Sequence, residues 1–183
     1  MKISEAEILI HPGLGGGSDE HWYSGWERKF RTGRRIEQQD WDRPDKDAWV
    51  ATLVAAVEQS QNNVILIAHS LGVIATIHAA PLLPKGLVTG AFLVTPPDLN
   101  ACTDTLPECQ VFAPIPTDPL PFPSLLVASR DDPYCSYELA EDYSYAWGSQ
   151  LIDAGESGHI NVESGHGPWP EGLLRLASFL NKL

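Results

Sequence analysis

The chain has 183 residues, enough for one hydrophobic core and short of what a second would need. Hydrophobic residues make up 43% and charged residues 20%, a balance that excludes wholesale disorder. Twelve Lys and Arg face 24 Asp and Glu, and the net charge of −12 repels polyanions, so nucleic acid and anionic membrane surfaces are poor partners.

The N-terminal apolar stretch is too brief and too acidic for a secretory leader to be expected, and no run approaches the roughly 18 apolar residues of a membrane span. A cytoplasmic protein is expected. Cys102, Cys109 and Cys135 form neither an even framework nor a close C-x-x-C pair, which predicts reduced thiols rather than disulfides or a structural zinc site.

Short β-rich runs alternate with longer segments of helical period, which predicts an α/β domain over residues 1–183: a mostly parallel six-stranded sheet with helices on both faces. Glu7–Ile10 is the first predicted strand and runs into the glycine-rich segment 11–17. A helix is expected over 19–29, with Ser18 as its cap and Trp22 and Trp26 on one face. Arg34–Gln38 is more polar than the other strand candidates, as suits a sheet edge. Trp49, Leu53 and Val57 recur at four-residue steps in 47–59, an amphipathic helix entered after Pro44 and Asp45.

Val64–Ile67 is a continuous aliphatic run, the mark of a central parallel strand buried on both faces. The apolar helix predicted over 71–80 is stopped by Pro81, and Val88–Val94 is the fourth strand. Prolines then recur from Pro96 to Pro123, too densely for a long helix, so an extended loop over the sheet is expected. Ser124–Ala128 and Gln150–Asp153 are the last two strands, separated by a helix over 137–146. A final helix starting at Pro170 buries Leu173, Leu176 and Leu180.

The residues that carry chemistry stand at strand ends. Ala68-His69-Ser70-Leu71-Gly72 joins the central strand to the apolar helix, and the small-x-Ser-x-Gly pattern predicts a sharp elbow that lifts Ser70 above the sheet. The bland alternative is a serine that merely caps the helix. A serine nucleophile needs an imidazole base and a carboxylate to orient it, and both follow in chain order: Asp131 and Asp132 after the fifth strand, His159 after the sixth. All of these lie at the C-terminal edge of a parallel sheet, where open α/β folds place their sites.

Adjacent aspartates in an extended loop point in different directions, so one alone can meet the imidazole. Asp132 is preferred, with Asp131 as the alternative. His159 is preferred to His166, which reads as loop structure. The backbone amides of Leu71, at the elbow, and Leu14, in the glycine-rich loop, are predicted to bind the oxyanion. The glycines themselves give G-x-G-G-G with no P-loop lysine, which argues against a nucleotide site.

His11 and His21 are expected at the mouth of the site, as structural rather than catalytic groups. His69 and His78 lack a carboxylate at metal spacing, so no metal and no organic cofactor is expected. The tryptophans read as packing, and Cys135, near the acid loop but without an elbow, makes a poor nucleophile.

Together these residues resemble the small serine hydrolases of the α/β-hydrolase superfamily, of the YdeN and retinoblastoma-binding-protein-nine type. The likeness spans nearly the whole chain: Pro12-Gly13, His21-Trp22, Trp26, Asp40-Trp41, Pro44, the Ser70 elbow, Asp131-Asp132-Pro133, Gly158-His159 and the closing Gly165 to Pro170. It implies a compact three-layer α/β-hydrolase fold without a separate lid domain, and Ser70, Asp132 and His159 as nucleophile, acid and base. Ala68 stands where the family has glycine.

The Leu-x-Cys-x-Glu segment of the animal member is absent here, and its retinoblastoma partner is not carried over. The expected activity is hydrolysis of carboxylic esters or related small acyl compounds through an acyl-enzyme. The alternatives are thioester hydrolysis or acyl transfer by the same triad, or a silent hydrolase fold kept for binding.

Overall fold

The computed structural model describes residues 6–183. Six strands form one parallel sheet: β1 (Glu7–His11), β2 (Gly33–Arg35), β3 (Val64–His69), β4 (Val88–Val94), β5 (Ser124–Ala128) and β6 (Gln150–Asp153). Their order is β2-β1-β3-β4-β5-β6, which puts β3 and its exit near the middle. Alternation along β3 feeds two cores. Leu66 and Ala68 face the side covered by α2 (Lys46–Glu58), α3 (Leu71–Ala79) and α4 (Tyr137–Trp147). Ile65 and Ile67 face α1 (Trp22–Lys29) and α5 (Pro170–Leu180). With both faces covered, the strand is aliphatic throughout, as its sequence predicts.

Element by element, the expected order holds and several boundaries move. α1 starts at Trp22 rather than residue 19 because Ser18 is spent on a preceding turn: its hydroxyl accepts from the Glu20 N–H and its carbonyl from the His21 N–H. β2 covers 33–35 rather than 34–38. One further bond to β1 follows, from the Ile36 N–H to the Ile10 carbonyl, and Gln38 then turns inward to hydrogen-bond with His11 and the Trp49 carbonyl. Asp45 caps α2 through the Ala48 N–H, Ser136 caps α4 through the Leu139 N–H, and Pro170 opens α5.

The proline-rich segment forms no long helix, but it is not simply extended: it winds through turns over 99–105, where Cys102 N–H donates to the Asp98 carbonyl and Leu106 N–H to the Cys102 carbonyl, and then makes a short 3-10 helix at Pro107–Phe112. Leu176 and Leu180 are buried as expected, while Leu173 is only partly so. Cys102, Cys109 and Cys135 are free and buried. Among the described residues no helix is long and apolar enough to cross a membrane.

Candidate active site

Ser70 sits where β3 breaks into α3, with φ 55° and ψ −126°, a conformation costing a non-glycine residue about 1–3 kcal/mol. Two bonds hold the elbow: the Ser70 N–H donates to the Val94 carbonyl at 3.0 Å, and its carbonyl accepts from Val73 at 2.9 Å. Close packing explains the small neighbours. A Cβ on Gly72 would collide with the carbonyls of His11 and Pro12, and one on Gly13 would lie 2.7 Å from Ser70 Cβ. Ala68 is fully buried. The Ser70 hydroxyl makes no capping bond to α3, so the simple cap reading fails.

That hydroxyl instead meets His159, with Nε2 2.8 Å from Oγ. On the other side of the ring, Nδ1 lies 2.9 and 3.0 Å from the two oxygens of Asp132. A carboxylate can only accept, so Nδ1 carries the proton and Nε2 offers its lone pair to the serine. Both side chains are nearly sealed, His159 at 6% and Asp132 at 3% exposure. In such surroundings the pair is weakly screened. Of the two aspartates, Asp132 faces the imidazole. Asp131 turns away and accepts the Gly158 N–H at 2.7 Å and the Ser129 hydroxyl at 2.8 Å, which draws its carboxyl below the usual 3.8.

The His159 backbone is gripped from beneath by residues the sequence reading did not assign to the site. His69 Nε2 donates to the His159 carbonyl at 2.9 Å, and the Thr95 hydroxyl donates to the same oxygen at 3.2 Å. Next in the chain, the Ile160 carbonyl accepts from the Trp22 indole at 2.8 Å, so this tryptophan does more than pack. Tyr134 sets its ring edge-on to the imidazole, 4.6 Å between centroids. A histidine beside the nucleophile and two tryptophans on one helix face were visible in the sequence. Nothing in it said that they converge on one peptide.

Three imidazoles therefore run in a row, His21 to His69 and His69 to His159, each step 4.9 Å. Burial keeps the first two uncharged: His21 is lowered to about 3, and His69 is held well below 6.5. Neither adds a cation beside His159. His21 lines the cleft as expected, whereas His11 does not; it is buried against Gln38 and Trp49 and lowered to about 3. His166 stays in its loop, with Nδ1 3.1 Å from the Ser164 hydroxyl. His78 Nε2 donates to the Phe112 carbonyl, and burial pushes the Cys135 thiol up to about 12.

A cleft of about 290 Å³ opens over Ser70, lined among others by Gly13, Leu14 and His159. The amides of Leu14 and Leu71 have no acceptor among the described residues. The loop that carries Leu14 presses on the elbow so closely that a Gly13 Cβ would stand 3.2 Å from the Leu71 nitrogen. That loop is braced by the Gly15 N–H bond to the Trp41 carbonyl at 2.9 Å. Two free donors beside a hydroxyl–imidazole–carboxylate chain suit a reaction that develops negative charge on oxygen.

A strained serine elbow at the C-terminal edge of a six-stranded parallel sheet, with helices on both faces, defines an α/β-hydrolase. The chain belongs to the serine hydrolase family, whose model it matches over residues 8–178. A solved structure from Pectobacterium atrosepticum, described as a YdeN-like hydrolase, is 38% identical, with 97% of this chain and 92% of that one covered and a TM-score of 0.86. The ydeN gene product of Bacillus subtilis shares the fold at 19% identity, TM-score 0.77, covering 96% and 99%. So does Est1E of Butyrivibrio proteoclasticus, solved with ferulic acid, at 14% identity and TM-score 0.70, covering 96% and 91%. No curated protein sequence matches the chain.

Proposed function

We propose that the protein hydrolyses small carboxylic esters through an acyl-enzyme on Ser70. The observation that carries this reading is the unbroken chain from Ser70 Oγ through His159 to Asp132, at 2.8 and 2.9 Å. His159 Nε2 takes the hydroxyl proton as Oγ bonds to the ester carbon, and the carbonyl oxygen becomes an oxyanion beneath the Leu14 and Leu71 amides. Asp132 steadies the imidazolium that forms. The C–O bond to the alcohol then breaks, with the His159 proton passing to the leaving oxygen. Water, deprotonated by the same Nε2, attacks the acyl carbon, and the collapsing intermediate returns Ser70 and the free acid. Each step uses groups of this chain and one water.

Replacing Ser70 by Ala tests the reading. The wild type should label with a fluorophosphonate probe and hydrolyse short p-nitrophenyl esters, and Ser70→Ala should lose both. Retention of either by pure, folded Ser70→Ala protein refutes the assignment.

A further inference from the structure

The cleft over Ser70 has two chemically different sides. Leu14 and Leu106 pack against the core beneath α2, α3 and α4. Tyr23 belongs to the opposite core, beneath α1 and α5, with His21 stacked on it at 3.7 Å. Ser70 stands at the sheet edge between these two faces. Apart from the Leu14 amide, the side chains of the aliphatic side offer only packing.

The other side offers unspent hydrogen bonds. The Tyr23 ring is buried, and its hydroxyl, lodged where a Gly17 side chain would go, makes no hydrogen bond to another described residue. The oxygen itself opens on the cleft, for it is not among the buried side-chain atoms left without a partner. Since Tyr23 lines the cleft, the missing partner can arrive with a ligand. Nδ1 of the adjoining His21 is also buried without a partner. Charge narrows the choice further. Glu163 is the cleft's one carboxylate, no Lys or Arg lines it, and His21 is held neutral by burial.

The mechanism orients the substrate. A leaving alcohol must lie where His159 Nε2 can protonate it. Asn161, Val162 and Glu163 line the cleft just after His159 and Ile160, and Ile160 is buried in the same core as Tyr23. The acyl chain then runs the other way, toward Leu14 and Leu106. We propose that the site takes esters of short aliphatic acids with small alcohols that carry hydrogen-bonding groups and no negative charge. This substrate class rests on the ester-hydrolase reading above.

Three butyrate esters matched in size test it on the intact chain by pH-stat: those of glycerol, 1-propanol and glycolic acid. The glycerol ester should exceed the propyl ester in kcat/KM by about three- to tenfold, the net worth of one hydrogen bond. The glycolate ester should fall below the propyl ester by about tenfold, because its carboxylate meets Glu163, while Arg35, over the Tyr23 ring, is already paired with Glu27. Tyr23→Phe should bring the glycerol ester down to the propyl rate, and Glu163→Gln should raise the glycolate ester.

Equal rates in the wild type, a preference for glycolate, or a glycerol preference that survives Tyr23→Phe would each overturn the proposal. If none of the three is cleaved while the fluorophosphonate still labels Ser70, the substrate class is wrong and the hydrolase reading stands. If labelling is absent as well, both fall.

Discussion

Gly13 is the position at which one methyl group separates packing from chemistry. A Cβ there would sit 2.7 Å from Ser70 Cβ, 3.1 Å from the His69 carbonyl and 3.2 Å from the Leu71 nitrogen, all parts of the elbow. Ordinary contact begins near 3.4 Å, so the loop or the nucleophile must yield by about 0.7 Å. Gly13 does not occupy the left-handed region, so the added methyl acts through contact alone. Overpacking of this size costs about 1–3 kcal/mol. For a chain of this length, each kcal/mol lowers Tm by about 2–4 °C.

The same displacement moves the Leu14 amide relative to Ser70, and a misplacement approaching 1 Å costs about 10²-fold in rate. Gly13→Ala should therefore lower kcat on p-nitrophenyl acetate by about 10²-fold, with KM little changed. Gly15→Ala is the control. Its φ is +75° and a Cβ there meets nothing within 4 Å, so it should lose about 1–2 kcal/mol through backbone strain while kcat stays near wild type. Calorimetry and steady-state kinetics on the two variants decide the matter. Wild-type kcat in folded Gly13→Ala would refute the reasoning, since the methyl cannot be accommodated without moving the elbow or the loop.

The two aspartates should separate cleanly in kinetics. Asp132→Asn should lower kcat by up to about 10⁴-fold, as expected when the carboxylate that fixes the imidazole tautomer is lost. Asp131→Ala should lower Tm by freeing the Gly158 N–H, with a far smaller effect on kcat; equal losses of kcat in the two variants would contradict the assignment. Stability should also fall on mild acidification. His11 and His21 are lowered to about 3, so below the ordinary 6.5 the unfolded chain takes up protons that the folded chain refuses. Each contributes about 1.4 kcal/mol of lost stability per pH unit between roughly 6 and 4. Urea unfolding at pH 7 and pH 5 measures this, and identical midpoints would show that these rings are not neutral and buried.

What could be read in the sequence was what is local. Val64–Ile67 announces a strand buried on both faces because no polar residue interrupts it, and Ala68 to Gly72 announces an elbow because the crowding demands small residues two either side of the serine. The order of Ser70, Asp132 and His159 was legible too, since alternating strands and helices return the chain to the same sheet edge each time. Boundaries were less so. Ser18 has a cap's chemistry and makes a turn instead, and Gln38 leaves its strand for a buried partner far along the chain.

Tertiary structure alone decided which neighbouring aspartate faces the ring, because that depends on a side-chain direction set by Gly158 and Ser129 across the loop. It also decided that His69 at the end of β3, Thr95 just past β4 and Trp22 at the start of α1 grip the peptides at His159 and Ile160. Periodicity cannot encode such contacts. Each depends on where several chain segments end at once, and that is fixed only when the sheet and both helical layers have packed.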